Sequence, residues 1–211
     1  MTECAPFVTL RRRDSVRTAL WGALAASWAG SSRAYADEPS GQVDDVRGEA
    51  FARAGSRQRP LSPAAEVFVG DLVATGANSA LGLHLGAATR IRLGAETQLR
   101  IDRFLVDAGG VLELARGAML FDRSEAAPKA DTAVRTPFGL IAVRGTRFFA
   151  GPSNGVFGVF VDRGTVLVAG RSSAVEVGAG LGTDIVAPGA NPTDPHPWGS
   201  ARVARALADV R

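Results

Sequence analysis

Hydrophobic and polar residues alternate along short segments between Val43 and Val186, and glycine-containing turns separate these segments. In Arg90-Ile91-Arg92-Leu93 the arginines would face one side of a strand and the apolar residues the other. Turn residues recur about every 8 to 12 residues, a spacing typical of antiparallel β folds. The pattern therefore predicts an all-β protein, an antiparallel sandwich or a β-roll of many short strands.

The pattern changes after residue 188. The segment 189–197 contains Pro192, Pro195 and Pro197, which favours an extended linker. Residues 198–210 then fit a short C-terminal helix in which Val203, Leu207 and Val210 share a face. Its start can be capped by Ser200. The opposite face would carry Arg202, Arg205 and Asp209. Docking on the β domain and binding to a partner are both open roles for this helix.

The first 36 residues have the features of an export signal. Charged residues at 11–17 precede a mildly apolar segment at 18–30, and Ala34-Tyr35-Ala36 supplies a small-residue cleavage site. The mature protein would begin at Asp37. Paired arginines within the charged region favour a twin-arginine (Tat) signal. Ser15 stands where such signals usually carry a large apolar residue, so Sec export stays an alternative.

A membrane anchor is the other interpretation of this leader. Spanning a bilayer takes about 20 predominantly apolar residues, and only about 13 lie between the arginines and Ser31. We therefore expect a cleaved signal, no later transmembrane segment and a soluble bacterial protein in the periplasm or outside the cell.

Removing the leader changes the charge of the protein. The chain has 24 Lys+Arg and 21 Asp+Glu, and residues 1–36 hold five of the former and two of the latter, leaving 19 of each. A balanced mature chain argues against nucleic-acid binding. Cys4, the only cysteine, also lies in the leader, so the mature chain can form neither a disulfide nor a thiolate metal site.

Two motifs stand out in the β region. The first is Gly70-Asp71-Leu72-Val73-Ala74-Thr75-Gly76, where the glycine can take a positive φ and the Asp71 carboxylate can accept nearby amide hydrogens. The second runs from Arg135 to Thr146. In it Pro137 forces Thr136 to be extended, and Gly145 permits a sharp turn.

These motifs, in this order and spacing, resemble the FecR domain, the periplasmic sensing module of bacterial iron-citrate signalling. The resemblance covers roughly Glu66 to Gly170. Together with the leader and the change of pattern after residue 188, it divides the chain into a signal peptide at 1–36, a FecR-like β domain at 37–188, and a proline-rich linker with a short helix at 189–211. The family-motif positions are Gly70, Asp71, Thr75, Gly76, Gly117, Arg135, Thr136, Pro137, Arg144, Gly145 and Thr146.

The resemblance also implies a role in signalling. Family members that signal across a membrane carry a cytoplasmic segment that contacts a sigma factor, followed by a membrane helix, and this sequence shows neither. We expect a stand-alone exported domain that contacts a protein partner in envelope signalling or assembly.

Four arginines are candidate binding residues. Arg90, Arg92 and Arg100 would line the polar faces of adjacent predicted strands and form a basic patch for an anionic glycan, lipid or protein. The alternative is a solvated face balanced by nearby aspartates. The fourth, Arg144, either satisfies carbonyl groups or an acid within its corner, or is exposed and binds an anion.

The sequence offers little for catalysis. Its two histidines, His84 and His196, have no metal-ligand spacing, and no Gly-x-Ser-x-Gly elbow or phosphate-binding loop occurs. We expect His84 to be solvated on the polar face of its strand. The sequence thus predicts a non-enzymatic protein without metal or cofactor, with a glycan- or small-ligand-binding module as the alternative.

Overall fold

The computed structural model describes residues 39–105, 109–124, 126–127 and 131–211, with the side chains of 103–105 excepted. The predicted export signal at 1–36 and part of the loop at 124–131 lie outside these residues. Within the described part, no helix is long and apolar enough to cross a membrane.

Eighteen strands and one helix are seen in the described residues. The strands are β1 (Gly41–Arg47), β2 (Ala50–Ala54), β3 (Arg57–Pro60), β4 (Glu66–Val67), β5 (Leu72–Thr75), β6 (Ala80–Leu85), β7 (Thr89–Leu93), β8 (Gln98–Leu105), β9 (Gly109–Arg116), β10 (Met119–Arg123), β11 (Asp131–Thr136), β12 (Gly139–Val143), β13 (Arg147–Ser153), β14 (Val156–Arg163), β15 (Thr165–Ala169), β16 (Ala174–Gly178), β17 (Leu181–Ile185) and β18 (His196–Pro197). The helix is α1 (Ser200–Ala208).

The strands form two nine-stranded sheets. Sheet I has the order β4-β1-β6-β7-β10-β13-β14-β17-β18, and sheet II has the order β3-β2-β5-β8-β9-β11-β12-β15-β16. Neighbours pair antiparallel except β9 and β11, which pair in parallel because the intervening β10 belongs to the other sheet. The predicted all-β class is confirmed. Both sheets progress from N-terminal to C-terminal strands, and the chain passes repeatedly from one sheet to the other.

A single hydrophobic core joins the inner faces of the two sheets. Sheet I contributes Phe121 and Phe148, whose ring centroids lie 5.3 Å apart, and sheet II contributes residues such as Ile101 and Leu112. All four side chains are fully buried. Burial of this apolar surface, at about 25 cal/mol per Å², is the main favourable term for folding.

The alternating segments behave as predicted. In β7, Ile91 and Leu93 are buried in the core while Arg90 and Arg92 are exposed. In β8, Leu99 and Ile101 are likewise buried. Each of these strands therefore has one face in the core and one in solvent, as is common in antiparallel sheets.

The helix α1 covers part of the outer face of sheet I. A second apolar cluster joins Ala206 and Val210 to Phe149, Phe160 and Trp198, with Leu207 packed at its edge. The Trp198 indole stacks on Phe160 at 5.4 Å and meets Phe149 edge-on at 6.4 Å. Docking on the β domain is thus the role of this helix in the structure.

Two details of the helix prediction are wrong. The N-cap is Gly199, with no side-chain hydrogen bond, and Ser200 is already helical. Arg202 does not face away from the domain, because it is largely buried and forms two hydrogen bonds, of 2.6 and 3.1 Å, to the Asp184 carboxylate. Its guanidinium also lies 3.5 Å from the centroid of the Trp198 ring, a cation–π contact. The arginine therefore fixes the helix to sheet I.

The proline-rich segment 189–197, interpreted above as a linker, begins in a turn at Gly189 and is held against the domain. The Asn191 side-chain oxygen accepts hydrogen bonds from the amides of Ser172 and Ser173, at 2.9 and 3.2 Å. Thr193 accepts one from the Thr183 hydroxyl at 2.7 Å. These contacts set the path by which the chain reaches Trp198.

Candidate functional site

The first motif forms a buried polar corner before β5. Gly70 has a φ of +89°, and the Asp71 carboxylate accepts the amide hydrogen of Phe68 at 2.9 Å. Asp71 is only 1% exposed and pairs with Arg59 at 2.6 Å. The hydrogen bond to Asp71 raises the pKa of Arg59 above its usual value. The corner therefore anchors β3 to the start of β5, which is a structural role.

The second motif forms the β11–β12 turn. The Thr136 hydroxyl accepts the amide hydrogens of Phe138 and Gly139, at 3.1 and 3.0 Å. Thr136 is the last residue of β11 and is extended, as its position before Pro137 predicts. The turn brings the Phe138 ring onto the Phe157 ring, with centroids 4.5 Å apart and planes 9° apart.

The corner after β12 leaves Arg144 exposed. Gly145 has a φ of +63°, which permits the turn, and Thr146 is buried behind it. The Arg144 side chain is 66% exposed and only approaches Asp131, itself exposed, at 3.6 Å. An ion pair of this kind contributes little to stability. The structure therefore gives little support to the interpretation in which Arg144 satisfies carbonyl groups or an acid within its corner. Anion binding by Arg144 stays a prediction.

Other arginines near this corner have the structural role that Arg144 lacks. Arg147 and Arg163 both contact the Asp122 carboxylate, at 3.2 and 2.9 Å. Arg123 is buried and donates to the Thr89 hydroxyl at 2.7 Å. The sequence pattern does not reveal these roles, because the partners of these arginines are distant in sequence.

The predicted basic patch does not form. β7 belongs to sheet I and β8 to sheet II, so Arg90 and Arg92 point away from Arg100 on opposite outer faces. Arg92 approaches Asp45 at 3.4 Å, and Arg100 approaches Glu113 at 3.6 Å. The prediction placed the two strands side by side, whereas β7 and β8 belong to different sheets that pack across the core. The glycan alternative loses its structural basis.

The outer face of sheet II carries an apolar surface. Side chains of β9, β11, β12 and β15 point outward into a groove of about 1040 Å³, which Arg144, Asp131 and Glu176 border. Leu167, which lines the groove from β15, is 46% exposed. Nothing among the described residues covers this surface, in contrast to the helix-covered face of sheet I. We call it the open face; it comprises Val111, Ala133, Leu140, Ala142, Leu167 and Ala169.

The open face ends at the edge strand β16, which lacks the features that usually discourage pairing with another strand. In the described residues, the edges of sheet I are the two-residue strands β4 and β18, and the edge strand β3 contains Arg57, Arg59 and Pro60. Short length, positive charge and proline all discourage strand pairing. The fourth edge, β16, has five residues, with Glu176 as its only charge.

The hydrogen-bonding groups of β16 can be assigned from its hairpin. The Gly170 amide donates to the Ser173 carbonyl at 2.9 Å, so this pair is hydrogen-bonded. Bonded and non-bonded pairs alternate in an antiparallel ladder, which makes Val175 and Val177 the residues bonded to β15. The backbone N–H and C=O groups that point away from β15 are those of Ala174, Glu176 and Gly178.

The described residues contain no constellation for metal binding. No group of three or more His, Cys, Asp or Glu converges in this part of the chain. His84 is half-exposed, and its Nδ1 lies 2.5 Å from an Asp44 carboxylate oxygen, while His196 lies 3.6 Å from Asp184. The first pair is half-exposed at the surface, whereas Asp184 is 18% exposed and also binds Arg202.

In the described part of the chain, the fold and its surfaces define a two-sheet β module with an exposed apolar face and an unprotected edge strand, β16. Residues 71–167 match the family model described as FecR protein, and the chain therefore contains a FecR domain. No curated protein matches the sequence.

Two solved structures are similar to this chain in fold. A proposed anti-sigma factor from Parabacteroides distasonis ATCC 8503, solved at 1.65 Å, is similar with a TM-score of 0.53 and 17% identity. The similarity covers 64% of this chain and 64% of that one. A second structure with the same description, at 2.50 Å, gives the same TM-score and identity over 64% of this chain and 63% of the other. The present chain thus spans less than two thirds of these relatives.

Proposed function

We propose that residues 37–211 form an exported, non-enzymatic FecR module that acts by protein–protein contact in bacterial envelope signalling. The FecR match and the likeness to a proposed anti-sigma factor support a signalling role. Residues 1–36 would be the export signal that delivers the module to the periplasm or the exterior. The β domain would occupy 37–188, and 189–211 would lock its C-terminus.

The open face is the observation that carries this proposal. A monomeric protein rarely leaves a contiguous apolar surface uncovered unless it contacts a partner there. Leu167 and Leu140 are exposed on it, and the neighbouring Ala133 and Ala142 leave room for a partner's side chains. Charged Arg144, Asp131 and Glu176 at its border provide a polar rim, as protein interfaces usually have.

The free edge of β16 gives the mode of contact. A partner strand that pairs with Ala174, Glu176 and Gly178 would extend sheet II, and main-chain hydrogen bonds would supply affinity. The outward-facing side chains of this partner strand would lie beside Glu176, which is next to Leu167 on β15. A basic residue there would complement the Glu176 carboxylate. The partner is thus a protein with an extended segment that carries Arg or Lys among apolar residues.

The open face is tested by Leu167→Asp. A charge on this surface should weaken partner capture from an envelope extract at least about tenfold, because a carboxylate buried without a partner in the interface is costly. Val69→Asp is the matched control, since Val69 is also 46% exposed but lies before β5. Quantitative mass spectrometry of proteins retained by the immobilised 37–211 protein measures the effect. A partner retained equally by both variants would contradict this site.

The strand edge is tested by Glu176→Pro. Its N–H points away from β15, so proline removes no bond within the domain but blocks an added strand. We expect capture to fall about tenfold or more, whereas Glu176→Gln, which keeps the N–H, should lose much less. Unchanged thermal unfolding would show that the proline variant is folded. If Glu176→Pro binds normally while Leu167→Asp does not, the partner uses the face without adding a strand.

A further inference from the structure

A second cavity lies away from the open face. The β11–β12 turn, the β13–β14 turn and the segment 186–188 after β17 meet around a cleft of about 450 Å³. Its volume falls within the range of about 300 to 1,000 Å³ that is usual for small-molecule sites. The family motif contributes to it directly, because Pro137 and Phe138 are among its lining residues.

The cleft is apolar from its floor to its mouth. Phe138, stacked on Phe157 at 4.5 Å, and the buried Leu114 line its inside. Three exposed prolines lie on its walls and offer no N–H donors. At the mouth, Val186 is 68% exposed, more than Val69, Leu140 or Leu167. Filling this cleft with an apolar group would remove that surface from water.

One charge borders the cleft. Arg116 is the only charged lining residue, and no acid lines the cavity. Its guanidinium forms neither a hydrogen bond nor an ion pair with any described residue. An apolar cavity with a single unpaired cation at its side complements a molecule that has an apolar body and one anionic end.

We propose that this cleft binds a small amphiphile that consists of a single apolar chain ending in a carboxylate. The apolar chain lies against Phe138, Phe157 and Val186, and the carboxylate pairs with Arg116. The cleft and the open face share no residues, so the module would carry a ligand site and a separate protein-contact surface.

Calorimetric titration of the 37–211 protein with sodium decanoate, below its micelle concentration, tests the proposal. Decanoate should bind at least about tenfold more tightly than decanol, and decyltrimethylammonium should not bind, because only the carboxylate can pair with Arg116. Equal binding of all three would indicate non-specific partition and overturn the proposal, as would the absence of decanoate binding.

Variants locate the site. Val186→Asp should abolish decanoate binding, because it places a negative charge at the mouth of the cleft, where it repels the decanoate carboxylate. Arg116→Gln should reduce decanoate affinity about tenfold, to the level of decanol, and leave decanol unchanged. Leu140→Asp, which changes an exposed leucine on the open face, is the control and should bind decanoate normally. Decanoate binding that survives Val186→Asp would overturn the assignment, whereas loss of protein capture in Leu167→Asp would leave it untouched.

Discussion

Replacing Trp198 with alanine is expected to lower the free energy of unfolding by about 3 kcal/mol, since large buried aromatic residues typically contribute 3–5 kcal/mol. The indole is buried between α1 and sheet I and stacks on Phe160. The Arg202 guanidinium lies 3.5 Å from the centroid of the indole ring. It also lies against two glycines: a Cβ on Gly158 or Gly182 would come within 2.6 or 2.3 Å of its ring. The site therefore fits this side chain closely.

Urea unfolding followed by circular dichroism measures the Trp198→Ala effect. Val186→Ala is the control, and as a change to an exposed side chain it should shift stability by less than about 0.5 kcal/mol. Hydrogen exchange of the α1 amides separates global destabilisation from local release of the helix. An unchanged unfolding midpoint with normal protection of α1 would show that the tryptophan does not hold the helix.

Asp71→Ala is expected to cost about 2 kcal/mol. The substitution leaves the Phe68 amide without its acceptor and the Arg59 guanidinium without its main partner, and a buried donor left unsatisfied costs about 1–3 kcal/mol. The partial exposure of Arg59 lowers the contribution of the ion pair itself.

Asp131→Ala provides the comparison for Asp71. Asp131 is also an arginine-paired aspartate, but it is exposed and its contact with Arg144 is 3.6 Å long. Its loss should cost less than about 0.5 kcal/mol. Trp198 is the only tryptophan after residue 36, so its fluorescence can follow unfolding of both variants in the 37–211 protein. Equal stabilities of the two would refute a structural role for the Gly70-Asp71 corner.

Much of the fold is visible in the sequence because its cause is local. The alternation of Arg90, Ile91, Arg92 and Leu93 directly reports which side chains enter the core. The positive φ of Gly70 follows from a turn that disfavours other residues. Strand order has no such local signature, which is why Arg90 and Arg100 were expected on one face although they lie on opposite ones.

The candidate sites were harder to predict. Leu140-Ile141-Ala142-Val143 is apolar without interruption, which indicates a strand with apolar residues on both faces, and this signal could have revealed the open face. The free edge of β16 depends on which strands end the sheets. The cleft depends on three turns that are distant in sequence. Arg202 was assigned to the solvent side because helix periodicity does not reveal a buried partner such as Asp184.

The order of strands in the two sheets also affects how the protein is made. Both sheets run from early to late strands, so a chain leaving the ribosome can add each new hairpin to a growing end and cover the previous one without waiting for distant residues. Domains generally fold as units during synthesis, N-terminal parts first. Trp198 and α1 emerge after all of the strands and cover part of the outer face of sheet I over Phe149 and Phe160. The outer face of sheet I is therefore packed only after both sheets have been synthesised.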